Sequence, residues 1–307
     1  MKKICVSVMC LFALIMMMLS ACGQMPDIVD EAKDNAISIV DMAGREVKLD
    51  APAERVVALT AADCEILCAI GAQDAIVGRG EYCDYPETIL DVPSVQSGYE
   101  TNIEQIIALK PEVIFMSMMD QTKEQGEMLE KAGIRVVNSY ETDIEGVYCS
   151  IRNIGAVMGR SEQAEALISQ MQEEFDSVSR DSMDGKKVYF EVSPLEYGLW
   201  TAGSGTFMNE LAEMMGLENI FADVEGWAEV SEEQVIERSP DYIVTITMYY
   251  GDGPTPEEEI MSRAGWQEIN AVRNGAVFNA VSDEISRPGP RLADAALALY
   301  DFVYGGE

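Results

Sequence analysis

The sequence predicts an α/β fold with two lobes, each built on a central parallel-type sheet. One long helix links the lobes, and a ligand cleft lies between them. Three observations predict this fold. Short β-branched segments alternate with helical patterns in both halves of the 307-residue chain. A stretch without strand signal, 143–183, separates the halves. Two short sequence patterns recur in the same order in both halves, and a cleft between related lobes is a common ligand site.

The N-terminal segment is typical of an exported lipoprotein. Two lysines precede an apolar run from Ile4 to Leu19, which is short for a membrane span. The following LSAC sequence resembles a bacterial lipobox, in which the thiol of the cysteine, here Cys22, receives lipid. An ordinary secretory signal with a chance cysteine is the alternative. We expect a signal peptide over 1–21, a flexible tether over 22–36, and a lipid-anchored protein on the outer side of the cytoplasmic membrane.

In the first half, apolar and β-branched runs predict strands, and glycine or proline ends the helical patterns. The predicted strands are Arg55–Thr60, Ala75–Gly78, Val113–Ser117 and Ile134–Asn138. The predicted helices are Ala61–Ile70, Ile103–Lys110 and Gln121–Ala132. We therefore expect an N-terminal α/β lobe over 37–142.

Between the halves, apolar residues recur at helical spacing as far as Phe175. A joint at 159–161 offers Ser161 as an N-cap. We expect a helical stretch and then one long linking helix that ends near Asp184, so that 143–184 forms a helical linker.

The second half repeats the alternation and predicts a C-terminal α/β lobe over 185–307. Its predicted strands are Lys187–Val192, Tyr242–Thr247 and Ala276–Ala280. Its predicted helices are Thr206–Met215, Glu232–Arg238 and Arg291–Val303.

The composition excludes several classes of function. The chain carries 54 Asp and Glu against 21 Lys and Arg, a formal net charge of −33. Such acidity repels phosphate backbones and anionic lipid, which argues against nucleic-acid binding and a polybasic membrane patch. The absence of histidine removes His-based triads and zinc sites. We interpret Cys64, Cys68, Cys83 and Cys149 as small buried residues and leave a disulfide open.

Two glutamates, Glu104 and Glu233, hold equivalent positions in the recurring pattern. Each falls in the first turn of a predicted helix, where the helix dipole favours negative charge and a capping role explains it. The alternative is functional, because one carboxylate per lobe can grip two arginines on a two-fold partner. The spacing by itself leaves both interpretations open.

Aromatic residues on predicted loops next to helix starts and strand ends are the candidate ligand contacts, since this rim binds ligands in open α/β sheets. They are Tyr82, Tyr99, Trp200, Trp227, Tyr249 and Tyr250. Flat aromatic faces suit a large planar macrocycle, whereas local packing is the alternative for each one. Arg287 is a candidate for a ligand carboxylate or phosphate, and a salt bridge explains it equally well.

The sequence resembles the solute-binding proteins of importers for iron–siderophore complexes, haem and cobalamin, over roughly 37–305. The motifs that carry the resemblance are DMAGREVKLDAPAERVVAL, GRGEYCDYPE, TNIEQIIALKPEVIF, GLWTAGSGTFMNELAEMMGLENIFAD, VSEEQVIERSPDYIV and SRPGPRLADAA. The resemblance implies two α/β lobes, a rigid linking helix, small closure on binding and no catalysis. It also implies that Glu104 and Glu233 dock on arginines of the permease dimer. Trp200 and Trp227 match positions where cobalamin-binding members carry large aromatics.

We therefore expect a monomeric binding protein that captures a metal chelate (a corrinoid, haem or a ferric siderophore). It would deliver this ligand to an ABC permease dimer with its ATPase subunits. We expect no resident cofactor or metal site, no nucleic-acid partner, and membrane contact through the lipid alone. An exported hydrolase or a surface scaffold is the alternative. The chain has no G-x-S-x-G, P-loop or G-x-G-x-x-G motif to support an enzyme.

Overall fold

The computed structural model describes residues 36–118, 121–180, 185–251 and 253–305. The predicted signal peptide, Cys22 and nearly all of the tether lie outside these residues. Within them, no helix has the length and apolar character needed to cross a membrane.

The first lobe contains a five-stranded, fully parallel sheet in the order β5-β4-β3-β6-β7. Its strands are β3 (Val56–Ala58), β4 (Ile76–Gly80), β5 (Ser94–Val95), β6 (Val113–Ser117) and β7 (Arg135–Ser139). An antiparallel pair, β1 (Ile37–Val40) and β2 (Glu46–Leu49), precedes it. The strands are mostly buried, as parallel strands covered on both faces must be.

The second lobe contains a four-stranded parallel sheet in the order β10-β8-β12-β13. Its strands are β8 (Lys187–Glu191), β10 (Glu218–Asn219), β12 (Tyr242–Thr245) and β13 (Val277–Asn279). A short antiparallel ribbon, β9 (Trp200–Ala202) with β11 (Trp227–Glu229), lies beside it. The α/β fold class with parallel sheets is thus confirmed.

Helices connect and cover the strands. The α-helices are α1 (Ala61–Ala69), α2 (Ile103–Leu109), α3 (Lys123–Lys131), α4 (Ile144–Val157), α5 (Ser161–Val178), α6 (Phe207–Met214), α7 (Glu232–Arg238), α8 (Pro256–Ser262), α9 (Asn270–Asn274), α10 (Ser282–Ile285) and α11 (Leu292–Tyr304). Short 3₁₀ turns occupy Gln73–Ala75, Glu87–Asp91, Gly98–Glu100, Leu195–Tyr197 and Trp266–Glu268.

The region between the sheets is helical, but two details of its prediction are wrong. Helix α5 begins at Ser161 with Arg160 in the N-cap position, so Ser161 is not the cap. The helix ends at Val178, before the predicted Asp184. There the backbone of Ser179 becomes extended and its hydroxyl donates to the Phe175 carbonyl at 3.0 Å, which satisfies one of the last carbonyls.

One continuous core joins the two sheets. Buried residues of the first sheet, such as Phe115, belong to the same apolar cluster as Ile168 of α5 and Phe190 of the second sheet. Smaller clusters cover the opposite faces, around Ile106 in the first lobe and Trp266 in the second. Each sheet is therefore a middle layer, and its strand ends remain available to a site.

Candidate functional site

The carboxyl ends of the two sheets lie beside each other. The carboxylate of Asp84, in the segment after β4, accepts from Nη1 of Arg287, in the segment after β13, at 2.8 Å. The amide of Phe207, after β9, donates to the carbonyl of Thr142, after β7, at 2.8 Å. Because ligands of open α/β sheets bind outside the carboxyl ends of the strands, these adjoining edges form the candidate site.

Exposed apolar side chains concentrate at these two edges. In the first lobe they are Tyr82, Tyr99, Met118 and Tyr140, and in the second Trp200, Met248, Tyr249, Tyr250 and Val281. Tyr82, Tyr99 and Tyr250 are 75%, 83% and 85% exposed. Exposed apolar side chains that cluster in one region of a protein surface are typical of a binding site.

Several of the aromatics have a fixed backbone and an exposed ring. The carbonyl of Tyr99 accepts from Nε2 of Gln125, at the start of α3, at 2.9 Å. After β12, the Tyr249 hydroxyl donates to the Gly253 carbonyl and the Tyr250 hydroxyl donates to the Met248 sulfur, both at 3.2 Å. These bonds restrict the Tyr249 and Tyr250 side chains, so those two rings lose less conformational freedom when a ligand covers them.

The two tryptophans lie on one face of the β9–β11 ribbon. Trp227 pairs with Ala202 and Glu229 pairs with Trp200, which places the two indoles in a diagonal relation. Trp200 is 40% exposed, whereas Trp227 is half-buried and its ring meets Phe207 edge-on, with centroids 5.6 Å apart. Local packing against Phe207 thus accounts for the buried part of the Trp227 ring. Trp200 is the more exposed of the two tryptophans.

Arg287 is engaged by protein carboxylates. It contacts Glu65, Asp84 and Asp283 at 3.0, 2.8 and 2.9 Å. Arg291 grips the same Glu65 with two bonds of 2.9 and 2.7 Å. Burial raises the pKa of Asp84, but the hydrogen bond and charge of Arg287, its own backbone amide and the charge of Arg291 together outweigh burial and leave that pKa below its usual value. The salt-bridge interpretation describes what this arginine does between the lobes, and its contact with a ligand stays a prediction.

Glu104 and Glu233 are both exposed in the first turns of α2 and α7. Asn102 and Ser231 cap these helices by accepting from the amides of the third helical residues. The pKa of Glu233 is lowered by its own backbone amide and by the Ser231 hydroxyl, so this carboxylate is anionic at neutral pH. A capping contribution and an outward-facing charge therefore coexist at this position.

Two buried acidic clusters escaped sequence reasoning. Glu141, two residues after the end of β7, accepts from the Ser150 hydroxyl, and the neighbouring Asp63 accepts from the Thr60 hydroxyl at 2.7 Å. Burial, and next the charge of Asp63, raise the pKa of Glu141 to about 8. In the second lobe, Glu191 at the end of β8 pairs with Arg263, both side chains almost fully buried. Among 54 acidic residues, no local signal marks the few that the fold buries.

The described part of the chain holds no group of three or more cysteine or acidic side chains arranged for a metal ion. Its four cysteines are free thiols, with Cys64 and Cys83 buried and Cys68 and Cys149 partly so. The two edges expose aromatic rings and phenol groups, such as those of Tyr82, Tyr99 and Tyr250.

Comparison with known proteins assigns the family. The periplasmic binding protein family matches residues 56–284. The chain is 32% identical to the uncharacterised ABC transporter substrate-binding lipoprotein YvrC of Bacillus subtilis, over 94% of this chain and 93% of that one.

Solved structures agree with this match. The periplasmic vitamin B12-binding protein BtuF of Vibrio cholerae superposes with a TM-score of 0.70 at 26% identity, covering 82% of this chain and 97% of that one. A possible iron-binding periplasmic solute-binding protein of Staphylococcus epidermidis gives a TM-score of 0.69 at 29% identity, covering 82% and 99%. The chain that carries these two aromatic-rimmed edges therefore belongs to the periplasmic binding protein family.

Proposed function

We propose that this chain is the extracytoplasmic substrate-binding component of an ABC importer and that it captures a corrinoid such as cobalamin between its lobes. One observation carries the proposal: the exposed aromatic side chains that follow the strand ends of both sheets. The similarity to an ABC transporter substrate-binding lipoprotein and to a vitamin B12-binding protein supports it. These relatives are binding proteins, which favours this function over an exported hydrolase or a scaffold.

The chemistry of the edges favours a corrinoid over an anionic ferric siderophore. A corrin is a broad macrocycle with amide side chains, so aromatic faces and phenol groups can hold it without a protein ligand to the metal. An anionic chelate is better matched by free cations. Arg287 and Arg291, at the junction of the edges, are already paired with carboxylates.

The proposed partner is a permease dimer with its ATPase subunits. Glu104 of the first lobe and Glu233 of the second are both exposed, and they are the proposed contacts to arginines of the permease. We also propose lipidation at Cys22, which would hold the protein on the outer face of the cytoplasmic membrane, beside its permease. A radiolabelled fatty acid should then be incorporated into the wild-type chain and not into Cys22→Ala, and an unlabelled wild-type chain would contradict the anchor.

The ligand proposal is tested by calorimetric titration of the chain from Met25 onward with cyanocobalamin, and separately with haemin and a ferric catecholate. We expect saturable binding of cyanocobalamin with one site. Trp200→Ala and Tyr82→Ala should each weaken it at least roughly tenfold, because each removes an exposed aromatic surface from the site. Met128→Ala, which truncates an exposed apolar side chain on α3, is the matched control and should change nothing.

Preferential binding of haemin or of the ferric catecholate would replace the corrinoid with that ligand class and keep the importer function. The absence of a heat signal with all three compounds, or an unchanged affinity in both aromatic variants, would overturn the site.

A further inference from the structure

A buried tryptophan contacts the first turn of helix α7. The indole Nε1 of Trp266 donates to Oε2 of Glu232 at 2.8 Å. Trp266 is fully buried in the 3₁₀ turn that follows α8, and Glu232 is the first residue of α7. Glu232 is the immediate neighbour of Glu233 and is half-buried, whereas Glu233 is exposed.

Trp266 is itself fixed by a buried ionic group. The guanidinium of Arg263 lies 4.5 Å from the centroid of the indole ring. Both side chains of the Arg263–Glu191 pair are almost fully buried, at 2% and 1% exposure, and their two bonds measure 2.6 and 2.9 Å. Arg263 also bonds Glu259 at 2.6 Å. The indole therefore sits in one orientation, with its N–H directed at α7.

These contacts form a continuous series from the carboxyl edge of the second sheet to the first turn of α7. Glu191 is the last residue of β8, at the carboxyl edge of the second sheet. The series then runs through Arg263 and Trp266 to Glu232 in the first turn of α7. Every step is a hydrogen bond, an ion pair or a ring contact between side chains on the inner side of the lobe.

We propose that Trp266 and Glu232 are positioning residues for the permease-docking surface: by holding Glu232 against the lobe, Trp266 leaves Glu233 as the carboxylate that α7 presents outward. Successive helical residues point about 100° apart, so fixing one side chain of the first turn sets the direction of the next. The proposal rests on the docking function proposed for Glu233, and assigns the two adjacent glutamates different tasks.

Positioning and docking require different properties of the side chain at position 232. A positioning residue needs only an acceptor for the indole N–H, so Glu232→Gln should keep it and Glu232→Ala should lose it. A docking residue needs the negative charge, so both substitutions would be equally harmful. Glu237→Gln, an exposed acid on the same helix, is the matched control.

The structural arm of the test uses the indole N–H resonances of the ¹⁵N-tryptophan-labelled protein. The chain has three tryptophans, and Trp266→Phe assigns the resonance of interest. We expect this resonance to be retained in Glu232→Gln and to shift in Glu232→Ala. An unshifted resonance in Glu232→Ala would overturn the contact without any reference to ligand or permease.

The functional arm measures uptake of ⁵⁷Co-cyanocobalamin by cells that lack the chromosomal copy and carry each variant. Glu104→Gln and Glu233→Gln should abolish most uptake. Glu232→Ala should lower it roughly fivefold, the effect of one lost hydrogen bond, and leave cyanocobalamin affinity unchanged. Glu232→Gln and Glu237→Gln should match the wild type.

The outcomes separate the two proposals. Normal uptake in both Glu104→Gln and Glu233→Gln would overturn docking itself. Loss of uptake in those variants, together with a normal Glu232→Ala or with equal losses in Glu232→Ala and Glu232→Gln, would overturn the positioning role alone.

Discussion

At the scale of single residues, Glu141 shows how strongly the fold can alter a carboxyl group. It lies at 6% exposure beside Asp63, and the Ser150 and Ser139 hydroxyls face it. Burial and the charge of Asp63 raise its pKa to about 8, so the group is mostly protonated where other glutamates are ionised. Folding therefore takes up a proton at this position near neutral pH.

This proton uptake makes stability depend on pH. Because the pKa of Glu141 is higher in the folded chain than in the unfolded one, its stabilising contribution is complete below about pH 4.5 and is lost as the pH rises through about 8. Between pH 5 and 8 the free energy of unfolding should fall by roughly 3 kcal/mol more in the wild type than in Glu141→Gln. Urea denaturation at several pH values measures it.

Glu124→Gln, which removes an exposed carboxylate on α3, should leave the wild-type slope intact. Identical slopes in Glu141→Gln and the wild type would show that Glu141 is not the group responsible.

Loop position and residue type are local properties, and they correctly indicated exposed rings at Tyr82, Tyr99 and Tyr250. They did not indicate Tyr140, which is also exposed, and Trp227 is half-buried. The sequence left Arg287 undecided between ligand and salt bridge, since Glu65 and Asp84 reach it only through the tertiary fold. It gave no sign of Glu141 or of the Glu191–Arg263 pair, because burial of one acid among many depends on which elements pack around it.

At the scale of elements, α4 and α5 approach each other closely at Gly155. A Cβ atom added there would lie 2.4 Å from the Cβ of Ala164, closer than packed carbon atoms can stand. Glycine in the middle of a helix is normally unfavourable by about 1 kcal/mol relative to alanine. At Gly155 the close packing of α4 against α5, which only glycine permits, offsets this unfavourable helix propensity.

Gly155→Ala should therefore destabilise the protein by about 1–3 kcal/mol, because the helices must separate or shift to admit the methyl group. Gly126→Ala, in α3, is the matched control. There the nearest atom to an added Cβ is 3.9 Å away, so we expect stabilisation of up to about 1 kcal/mol from helix propensity. Thermal unfolding compares the two, and a stabilising Gly155→Ala would refute the close contact.

The predicted alternation of strands and helices is confirmed. It could be predicted because the spacing of hydrophobic residues along one sequence distinguishes helices from strands. The shortest elements carry no such pattern. Strand β5 has two residues and β9 and β11 have three each, so only their partners define them. The helix termini were also missed by a few residues, because they depend on single hydrogen bonds such as the one from Ser179 to Phe175.

At the scale of the whole molecule, the lobes meet through an ionic group centred on Glu65. Its side chain is 3% exposed and receives both Arg287 and Arg291, while the Arg291 guanidinium lies 4.2 Å from the centroid of the Tyr85 ring. A carboxylate buried between two arginines of the other lobe fixes how the two carboxyl edges face each other.

Glu65→Gln should lower the free energy of unfolding by roughly 3 kcal/mol, because it leaves two partly buried arginines short of a carboxylate. The control is Glu46→Gln, which breaks a pair with Lys48 in which both side chains are more than half exposed and should cost less than about 1 kcal/mol. Guanidinium denaturation measures both. Equal effects of the two substitutions would show that the interlobe group contributes no more than a surface pair.

The shared core has a consequence for engineering. Because Phe115, Ile168 and Phe190 belong to one apolar cluster, a lobe taken from a relative would bring half of a core that was selected against a different other half. Chimaeras joined at the lobe boundary should therefore assemble poorly. The exposed aromatics after β4 and β12, such as Tyr82 and Tyr250, lie outside that cluster, whereas Cys83 and Ile89 in the segment after β4 belong to it. Exchanging the exposed aromatics one by one, with the frame of this chain kept whole, should therefore alter specificity with less damage than exchanging a lobe.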